Sequence, residues 1–401
     1  MKKTVAFLLI AAMIVCLFAG CKGEAEPVAS TVATSASVET SAPTEAPSIS
    51  PYADYGAWQV ALLTEESTVA DQSCSRILFD AGKAWCEAHG VGFRHYAAAE
   101  RTKAELVALI DLAVSDGSDV LILPDWSLTD AIKDTVGKYP DVRFVLFDMY
   151  PNEFGRDYAL PANVCTAVYR EEVLGFMAGF AAVMLGYRHL SFVGTKKAAP
   201  VTRYGYGFAQ GAAAAALELG TEKEIAVEFA YANTTAADPA VTAFMDDMFR
   251  NRGVELCFVC GADIAGAVCE AAKNASSGKV IGTDVDMALI LEPIYGEGVT
   301  ATSAVKNYAA TVQTLLSDII EKNMWRSYSG QTHVGGIVSG KDLDANAVGL
   351  APSTRYADGK FSEEDYAALV AALYAGDYVV SDDTKNPPKV AIAVNYLGNI
   401  K

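Results

Sequence analysis

Four acidic residues and one lysine stand at, or within a few residues after, the ends of short apolar runs. They are Glu65, Asp148, Asp263, Asp284 and Lys306. Carboxylates accept hydrogen bonds from sugar hydroxyls and ring N–H groups, and an ammonium donates them, so the set suits a polar small ligand. A structural role is the alternative, since Lys306 could serve only to neutralise a neighbouring acid.

Four more candidate binding residues lie between these runs. Asp71, Cys74 and Ser75 stand around the start of a helical segment, and Trp126 follows another apolar run. The indole of Trp126 offers a flat apolar face for a ring. As alternatives, Asp71 could be only a helix N-cap and Trp126 only a core residue.

Several common catalytic and metal-binding motifs are missing from the sequence. No Gly-Lys pair is followed by Ser or Thr, as a phosphate-binding loop requires, and the four histidines are too widely spaced for a zinc-protease motif. The segment 342–346 resembles the start of a calcium loop, but Ala347 stands where that loop needs glycine. We therefore expect a binding protein without metal or cofactor rather than an enzyme.

The charge of the chain argues against nucleic acid as a partner. The formal net charge of the 401 residues is −18, and the sequence has no cluster of Lys and Arg. Because neutralisation of phosphates dominates the affinity of nucleic-acid-binding proteins, an acidic chain of this kind is a poor candidate for that class.

The first residues have the pattern of a lipoprotein signal peptide. Lys2 and Lys3 precede the apolar run 5–17, which is too short to span a membrane comfortably, and small residues then lead to Cys21. This ending resembles a lipobox, so we expect cleavage after residue 20, lipidation of Cys21 and attachment to the extracytoplasmic face of the cell membrane. Residues 21–51, rich in Ser, Thr, Ala, Glu and Pro, are predicted to form a disordered stalk.

From residue 52 onward, short apolar runs alternate with helical segments. The first series has predicted strands at 58–64, 91–96, 119–123 and 143–147, and predicted helices at 75–88, 102–116 and 127–139. The second has predicted strands at 163–168, 189–193, 224–231, 256–260 and 279–282, and predicted helices at 171–185, 204–219, 239–252 and 262–276. Two such series predict two α/β lobes with parallel sheets, whose ligands bind outside the carboxyl ends of the strands.

The lobes are expected to exchange segments. We assign residues 52–165 and about 285–325 to the first lobe, and residues 166–284 and about 326–401 to the second. The strand that ends at Lys306 therefore belongs to the first lobe in this assignment, and hinges are expected near Cys165, Asp284 and residues 320–325. A last strand is predicted at 390–394.

Two short motifs have structural interpretations. Cys257 and Cys260 form a CxxC pattern within a strand-like run, where positions three apart face opposite sides, so buried thiols are expected. The glycines of residues 205–211 are spaced one residue too widely for a dinucleotide-binding loop, and close helix packing explains them better.

Several segments, in order, resemble motifs of the BMP (basic membrane protein) family of substrate-binding lipoproteins, which are similar to purine-nucleoside receptors. The segments are 64–73, 169–182, 191–194, 207–211, 281–286 and 302–306. The resemblance implies a type I periplasmic-binding fold with two parallel-sheet lobes and a hinge, closure of the lobes on the ligand, and an ABC permease as partner. A sensor for a signalling partner and a nucleoside-hydrolysing enzyme are the alternatives.

The resemblance also implies roles for individual residues. Glu65 takes the place of the family's purine-facing Asp, Asp148 matches an Asp of the pocket, and Asp284 and Lys306 match residues near the ribose. Cys74 stands where the family stacks a Phe on the base, a departure that concerns the specificity for nucleosides rather than the fold.

Overall fold

The computed structural model describes residues 57–65, 73–100, 102–124 and 128–401. Two mostly parallel sheets, each flanked by helices, form the described part of the chain. Asp71, Trp126 and Cys21 lie outside the described residues, as do the predicted leader and stalk.

The first sheet has six strands in the order β11-β5-β4-β3-β1-β2, and all its neighbours pair in parallel. Its strands are β1 (Gln59–Thr64), β2 (Gly92–Ala97), β3 (Val120–Leu123), β4 (Arg143–Phe147), β5 (Val164–Tyr169) and β11 (Thr332–Gly335). β3 and β5 are completely buried, as the continuous apolar runs of a covered parallel sheet predict.

The second sheet has seven strands in the order β12-β10-β9-β8-β6-β7-β13. They are β6 (His189–Gly194), β7 (Ala226–Tyr231), β8 (Leu256–Cys260), β9 (Lys279–Asp284), β10 (Thr300–Lys306), β12 (Val348–Leu350) and β13 (Ala393–Asn399). Only the pairing of β12 with β10 is antiparallel among these described strands.

The helices connect the strands across both faces of the sheets. They are α1 (Cys74–His89), α2 (Lys103–Ser115), α3 (Thr129–Thr135), α4 (Glu171–Met184), α5 (Ala199–Leu219), α6 (Pro239–Arg250), α7 (Ala262–Ala275), α8 (Ala288–Tyr295), α9 (Tyr308–Leu316), α10 (Trp325–Tyr328) and α11 (Glu363–Ala375). None of the helices in this part of the chain is both long and apolar enough to cross a membrane.

The expected fold class, two α/β lobes with parallel sheets, is confirmed, but the placement of one strand was wrong. β10, expected in the first lobe, lies in the second sheet between β9 and β12. β10, with the sequence Thr-Ala-Thr-Ser-Ala-Val-Lys, is a short and mostly buried strand followed by a helix, a pattern that occurs in both sheets. Composition therefore identifies a strand without identifying the sheet that it joins.

The chain passes between the sheets at three places. It leaves the first sheet after β5, returns after β10 to α9, which packs on α1, and leaves again after β11. The expected crossing near Asp284 is wrong because β9 and β10 are neighbours in one sheet. The crossing expected at residues 320–325 occurs instead between β11 and β12, because β11 adds a further strand to the first sheet.

The last strand also begins later than predicted. β13 covers only the end of the apolar run at 390–394 and continues to Asn399, pairing in parallel with β7. Its side chains are mostly exposed, so backbone pairing rather than burial defines this strand, and hydrophobic pattern gives little signal for it.

Glycines allow α4 and α5 to pack backbone against backbone. A Cβ on Gly175 or Gly179 would lie 2.1 Å from a carbonyl oxygen of α5, and one on Gly207 or Gly211 would lie 2.1 or 1.9 Å from a carbonyl oxygen of α4. The helix-packing interpretation of the 205–211 glycines is thus confirmed for Gly207 and Gly211. The contact fixes the start of α4 against α5, where part of the candidate site lies.

Cys257 and Cys260 are buried on β8, as expected for structural thiols. Burial raises the pKa of Cys257 to about 12, so the thiol stays protonated at neutral pH. A protonated, inaccessible thiol is a poor nucleophile and a poor metal ligand.

Candidate ligand-binding site

Two acids, each at the carboxyl end of a strand and one in each sheet, share an unusual backbone conformation. Asp148 follows β4 of the first sheet with φ 54°, and Asp284 ends β9 of the second with φ 70°. Asp is among the few residues that adopt this left-handed region with little cost, and residues held there cluster at binding sites. Each carboxylate thus leaves its strand at a sharp turn.

Lys306, the last residue of β10, joins these two acids. Its buried Nζ lies 2.9 Å from Oδ1 of Asp148 and 2.9 Å from Oδ1 of Asp284. Oε1 of Glu171, the first residue of α4, lies 3.9 Å away. The structure therefore brings together three residues that the sequence predicts as binding residues.

The charge of Lys306 is maintained by its neighbours. Burial alone would lower the pKa of the ammonium, but Asp148 and Asp284 outweigh that effect and hold the pKa well above its ordinary value. The ammonium is therefore charged at neutral pH and can donate hydrogen bonds.

Two tyrosines orient the acids. The hydroxyl of Tyr308 donates to Oδ2 of Asp148 at 2.5 Å, and the hydroxyl of Tyr204 donates to Oδ1 of Asp284 at 2.8 Å. We call Lys306, Asp148, Asp284, Tyr204 and Tyr308 the Lys306 cluster. Because both partners of each hydrogen bond are fixed on helices or at strand ends, the carboxylates are oriented before any ligand binds.

A second group of charges lies beside the Lys306 cluster. The buried carboxylate of Glu171 accepts from the hydroxyl of Tyr150 at 2.7 Å and from Nε of Arg203 at 2.8 Å. The guanidinium of Arg203 also lies over the ring of Tyr150, 4.9 Å from its centre. We call these three residues the Glu171 network, and it connects the loop after β4 to α4 and α5.

The sequence interpretation missed the Glu171 network and both tyrosines of the Lys306 cluster. Glu171, Arg203, Tyr204 and Tyr308 lie at or near helix starts, whereas the search concentrated on residues after strands. The signal available for Glu171 was its place in the family-like segment 169–182. No comparable local signal marks Tyr150.

The Lys306 cluster opens into a cavity of about 800 Å³. First-sheet loops and α1 contribute Ser73, Cys74, Pro124 and Asp148, and second-sheet elements contribute most of the remaining wall. Pockets for small organic ligands occupy about 300–1,000 Å³, so the cavity has the size of a small-molecule site.

The other predicted residues fall into two groups. Glu65 is buried directly after β1, and Ser75 is buried in the first turn of α1, but neither occurs among the described residues that line the cavity. Asp263 lies in α7, and its side chain, like Asp71 and Trp126, is outside the described part of the chain. Their roles in binding stay predictions.

Comparison with solved structures supports the two-lobed fold. A solute-binding protein of an ABC transporter system from Conexibacter woesei DSM 14684 is 18% identical, with a TM-score of 0.60 over 81% of this chain and 99% of the other. An ABC transporter solute-binding protein from Aeropyrum pernix K1 is 17% identical, with a TM-score of 0.55 over 81% of this chain and 94% of the other. At these identities the likeness shows the fold alone.

A third structure of the same fold carries a different description. It is a transcriptional activator of the comK gene from Bacillus halodurans, 17% identical, with a TM-score of 0.58 over 80% of this chain and all 100% of the other. No curated protein sequence matches the chain.

A family model gives a more specific assignment than the solved structures do. The model of the Bmp family, described as ABC transporter substrate-binding protein PnrA-like, matches residues 58–344, which is most of the chain. The match includes β1 through β11 and therefore every residue of the Lys306 cluster. It is a family of binding proteins rather than of enzymes, in agreement with the missing catalytic motifs. The chain belongs to the Bmp family of PnrA-like ABC transporter substrate-binding proteins.

Proposed function

We propose that this protein captures a nucleoside, or a related small polar heterocycle, outside the cell membrane and delivers it to an ABC permease. One observation carries the proposal: Nζ of Lys306 lies 2.9 Å from an acid of each sheet, inside a cavity of ligand size. An ammonium flanked by two fixed carboxylates matches the alternating donors and acceptors of adjacent ribose hydroxyls.

The charge of the site favours a neutral ligand. The site holds three acids, Asp148, Asp284 and Glu171, and two basic residues, Lys306 and Arg203, each of which is already paired with an acid. A phosphate group would have to approach these acids, and neither Lys306 nor Arg203 is left unpaired to bind it. Nucleosides and sugars therefore suit the Lys306 cluster better than nucleotides do.

A thermal unfolding screen tests the proposal directly. The panel contains purine and pyrimidine nucleosides, free bases, nucleotides, sugars and vitamins. A ligand at 100 times its Kd stabilises the folded protein by about 2.7 kcal/mol, which gives a clear rise in Tm. We expect nucleosides to raise Tm and nucleotides to have a much smaller effect.

A matched pair of variants connects the binding to the site. Asp284→Asn should abolish the rise in Tm because it removes an acid of the Lys306 cluster, whereas Asp358→Asn, in a turn that is not among the described residues lining the cavity, should leave it unchanged. If no nucleoside or base shifts Tm, the nucleoside proposal fails. A shift that survives Asp284→Asn would place the ligand elsewhere.

The lipid anchor is a separate part of the proposal. Cys21 follows the apolar run and small residues of a lipoprotein signal, and the low-complexity stretch behind it suits a stalk. We expect the protein to incorporate a labelled fatty acid and to sediment with membranes. Cys21→Ala should lose the label; retention of the label by this variant would contradict the assignment.

A further inference from the structure

Helix α8 presents an apolar face to the cavity. Met287, Ile290, Leu291, Ile294 and Tyr295 all line it, at spacings of three and four residues that place them on one side of a helix. We call these residues the α8 wall. The face begins three residues after Asp284, so it continues directly from the Lys306 cluster within one cavity.

Part of the α8 wall is exposed to an unusual degree. Met287 and Leu291 are buried against the second lobe, whereas the side chain of Ile294 is 63% exposed. A large aliphatic side chain at a cavity wall gains stability when an apolar partner covers it. Among the described residues on the first-lobe side of the cavity, Ser73, Cys74 and Pro124 are small, and Asp148 and Tyr308 belong to the Lys306 cluster.

The cavity therefore has two chemically different ends. One end carries the carboxylates and ammonium of the Lys306 cluster, and the other is the apolar α8 wall. A ligand that fills both has hydroxyls at one end and an uncharged ring or apolar group at the other. A free sugar would form hydrogen bonds with the Lys306 cluster but leave the α8 wall exposed to water.

We propose that the ligand lies with its hydroxyls at the Lys306 cluster and its ring against the α8 wall, where apolar contact with Ile290, Leu291 and Ile294 holds the ring. This inference rests on the proposed function and narrows it to ligands that join a polyol to an uncharged ring. The contact is nonpolar, so alkyl groups added to the ring should strengthen binding.

The chain offers a matched control for this contact. Leu289 lies on the same helix and is 59% exposed, close to the value for Ile294, but it is not among the described residues that line the cavity. Ile294→Ala and Leu289→Ala remove similar exposed aliphatic groups from α8. Only the first is expected to change ligand affinity.

Calorimetric titration of the full chain and both variants tests the inference with three probes: adenosine, N6-methyladenosine and free ribose. We expect Ile294→Ala to weaken adenosine binding by about tenfold, from loss of buried aliphatic surface, with a larger loss for N6-methyladenosine. Ribose affinity should be unchanged by Ile294→Ala, and Leu289→Ala should leave all three affinities unchanged.

The alternative outcomes separate the inference from the proposed function. If adenosine binds and the two variants behave alike, the α8 wall does not hold the ring, while the nucleoside receptor stands. If Ile294→Ala weakens the binding of ribose and adenosine equally, the substitution affects the site as a whole rather than a contact with the ring, and the inference is overturned. If ribose binds but neither nucleoside does, both proposals are wrong.

Discussion

At the scale of single residues, Lys306 has the most demanding environment of the candidate site. Its ammonium is buried and is offset by two carboxylates whose side chains are 24% and 38% exposed. Removal of one member of such a pair is costly, because the partly buried charges that remain have no counter-charge. The same arrangement that suits a ligand therefore also contributes to the folded state.

Replacing Lys306 by methionine should destabilise the protein. The variant keeps most of the length of the side chain but leaves Asp148 and Asp284 without the cation between them, and we expect a loss of about 3 kcal/mol in the free energy of unfolding, measured by urea denaturation at pH 8. Burial already raises the pKa of Asp148 above its ordinary value in the parent, and Lys306 opposes that rise, so loss of the cation raises the pKa of Asp148 further. The loss should therefore shrink as the pH falls towards 5 and Asp148 takes up a proton.

Lys103→Met is the control for this prediction. Nζ of Lys103 lies 2.7 Å from Asp134, but the side chains are 51% and 52% exposed. Exposed pairs contribute little to stability, so this variant should unfold almost as the parent does. Equal losses for Lys306→Met and Lys103→Met would show that burial gives the Lys306 cluster no special weight.

The residues of the site could be predicted only in part. Asp148, Asp284 and Lys306 are recognisable because each stands where a buried strand ends, and parallel sheets bind ligands at those ends. Tyr308 contacts Asp148 across 160 positions of sequence. Such a contact depends on how helices pack, and no local sequence pattern around Tyr308 predicts it.

At the scale of elements, the approach of α4 to α5 positions the Glu171 network. Glu171 begins α4, and Arg203 and Tyr204 lie in the first turns of α5, so the distance between the helices sets the distance between these side chains. Glycines at the crossing allow that distance. A larger residue there would have to move one helix as a whole.

Gly211→Ala should therefore be strongly destabilising. Its Cβ would lie 1.9 Å from the backbone oxygen of Phe176, and backbone cannot rotate away as a side chain can. We expect a loss of about 3 kcal/mol or more in the free energy of unfolding, at the upper end of the range for overpacking. Thermal or urea unfolding of the purified variant measures it.

Gly137→Ala is the matched comparison. No heavy atom lies within 4 Å of the position that its Cβ would take, and the residue sits in a short helical turn. Its stability should stay within about 0.5 kcal/mol of the parent or rise slightly. A Gly211→Ala protein as stable as Gly137→Ala would mean that α4 and α5 are less tightly packed than their carbonyl distances indicate.

Elements were more predictable than their arrangement. The predicted strand at 256–260 matches β8 and the predicted helix at 171–185 matches α4 to within one residue, because buried strands and helices have distinct periodicities. The sheet assignment of β10 was wrong, since each βα unit carries the same pattern whichever sheet it joins. The exposed strand β13 was placed too early for the opposite reason: it has little hydrophobic pattern at all.

At the scale of the whole molecule, the candidate site lies where the two sheets meet, and its contacts join elements of both. Lys306 of the second sheet binds Asp148 of the first, and Tyr150, after β4, donates to Glu171 of α4. Three crossings of the chain also connect the sheets. We expect the three crossings to act as hinges about which the lobes rotate.

Closure of the lobes on the ligand is the last prediction. A ligand that contacts the Lys306 cluster and the α8 wall gains further contacts only if the first lobe approaches it, so binding favours the closed arrangement by the difference in contact energy. Small-angle X-ray scattering should therefore show a smaller radius of gyration when a nucleoside that raises Tm is added at saturation. Asp284→Asn, which should not bind, provides the baseline under the same nucleoside concentration. A nucleoside that binds the parent protein without changing its scattering profile would show that capture takes place in a preformed cleft, and the role of the crossings as hinges would have to be abandoned.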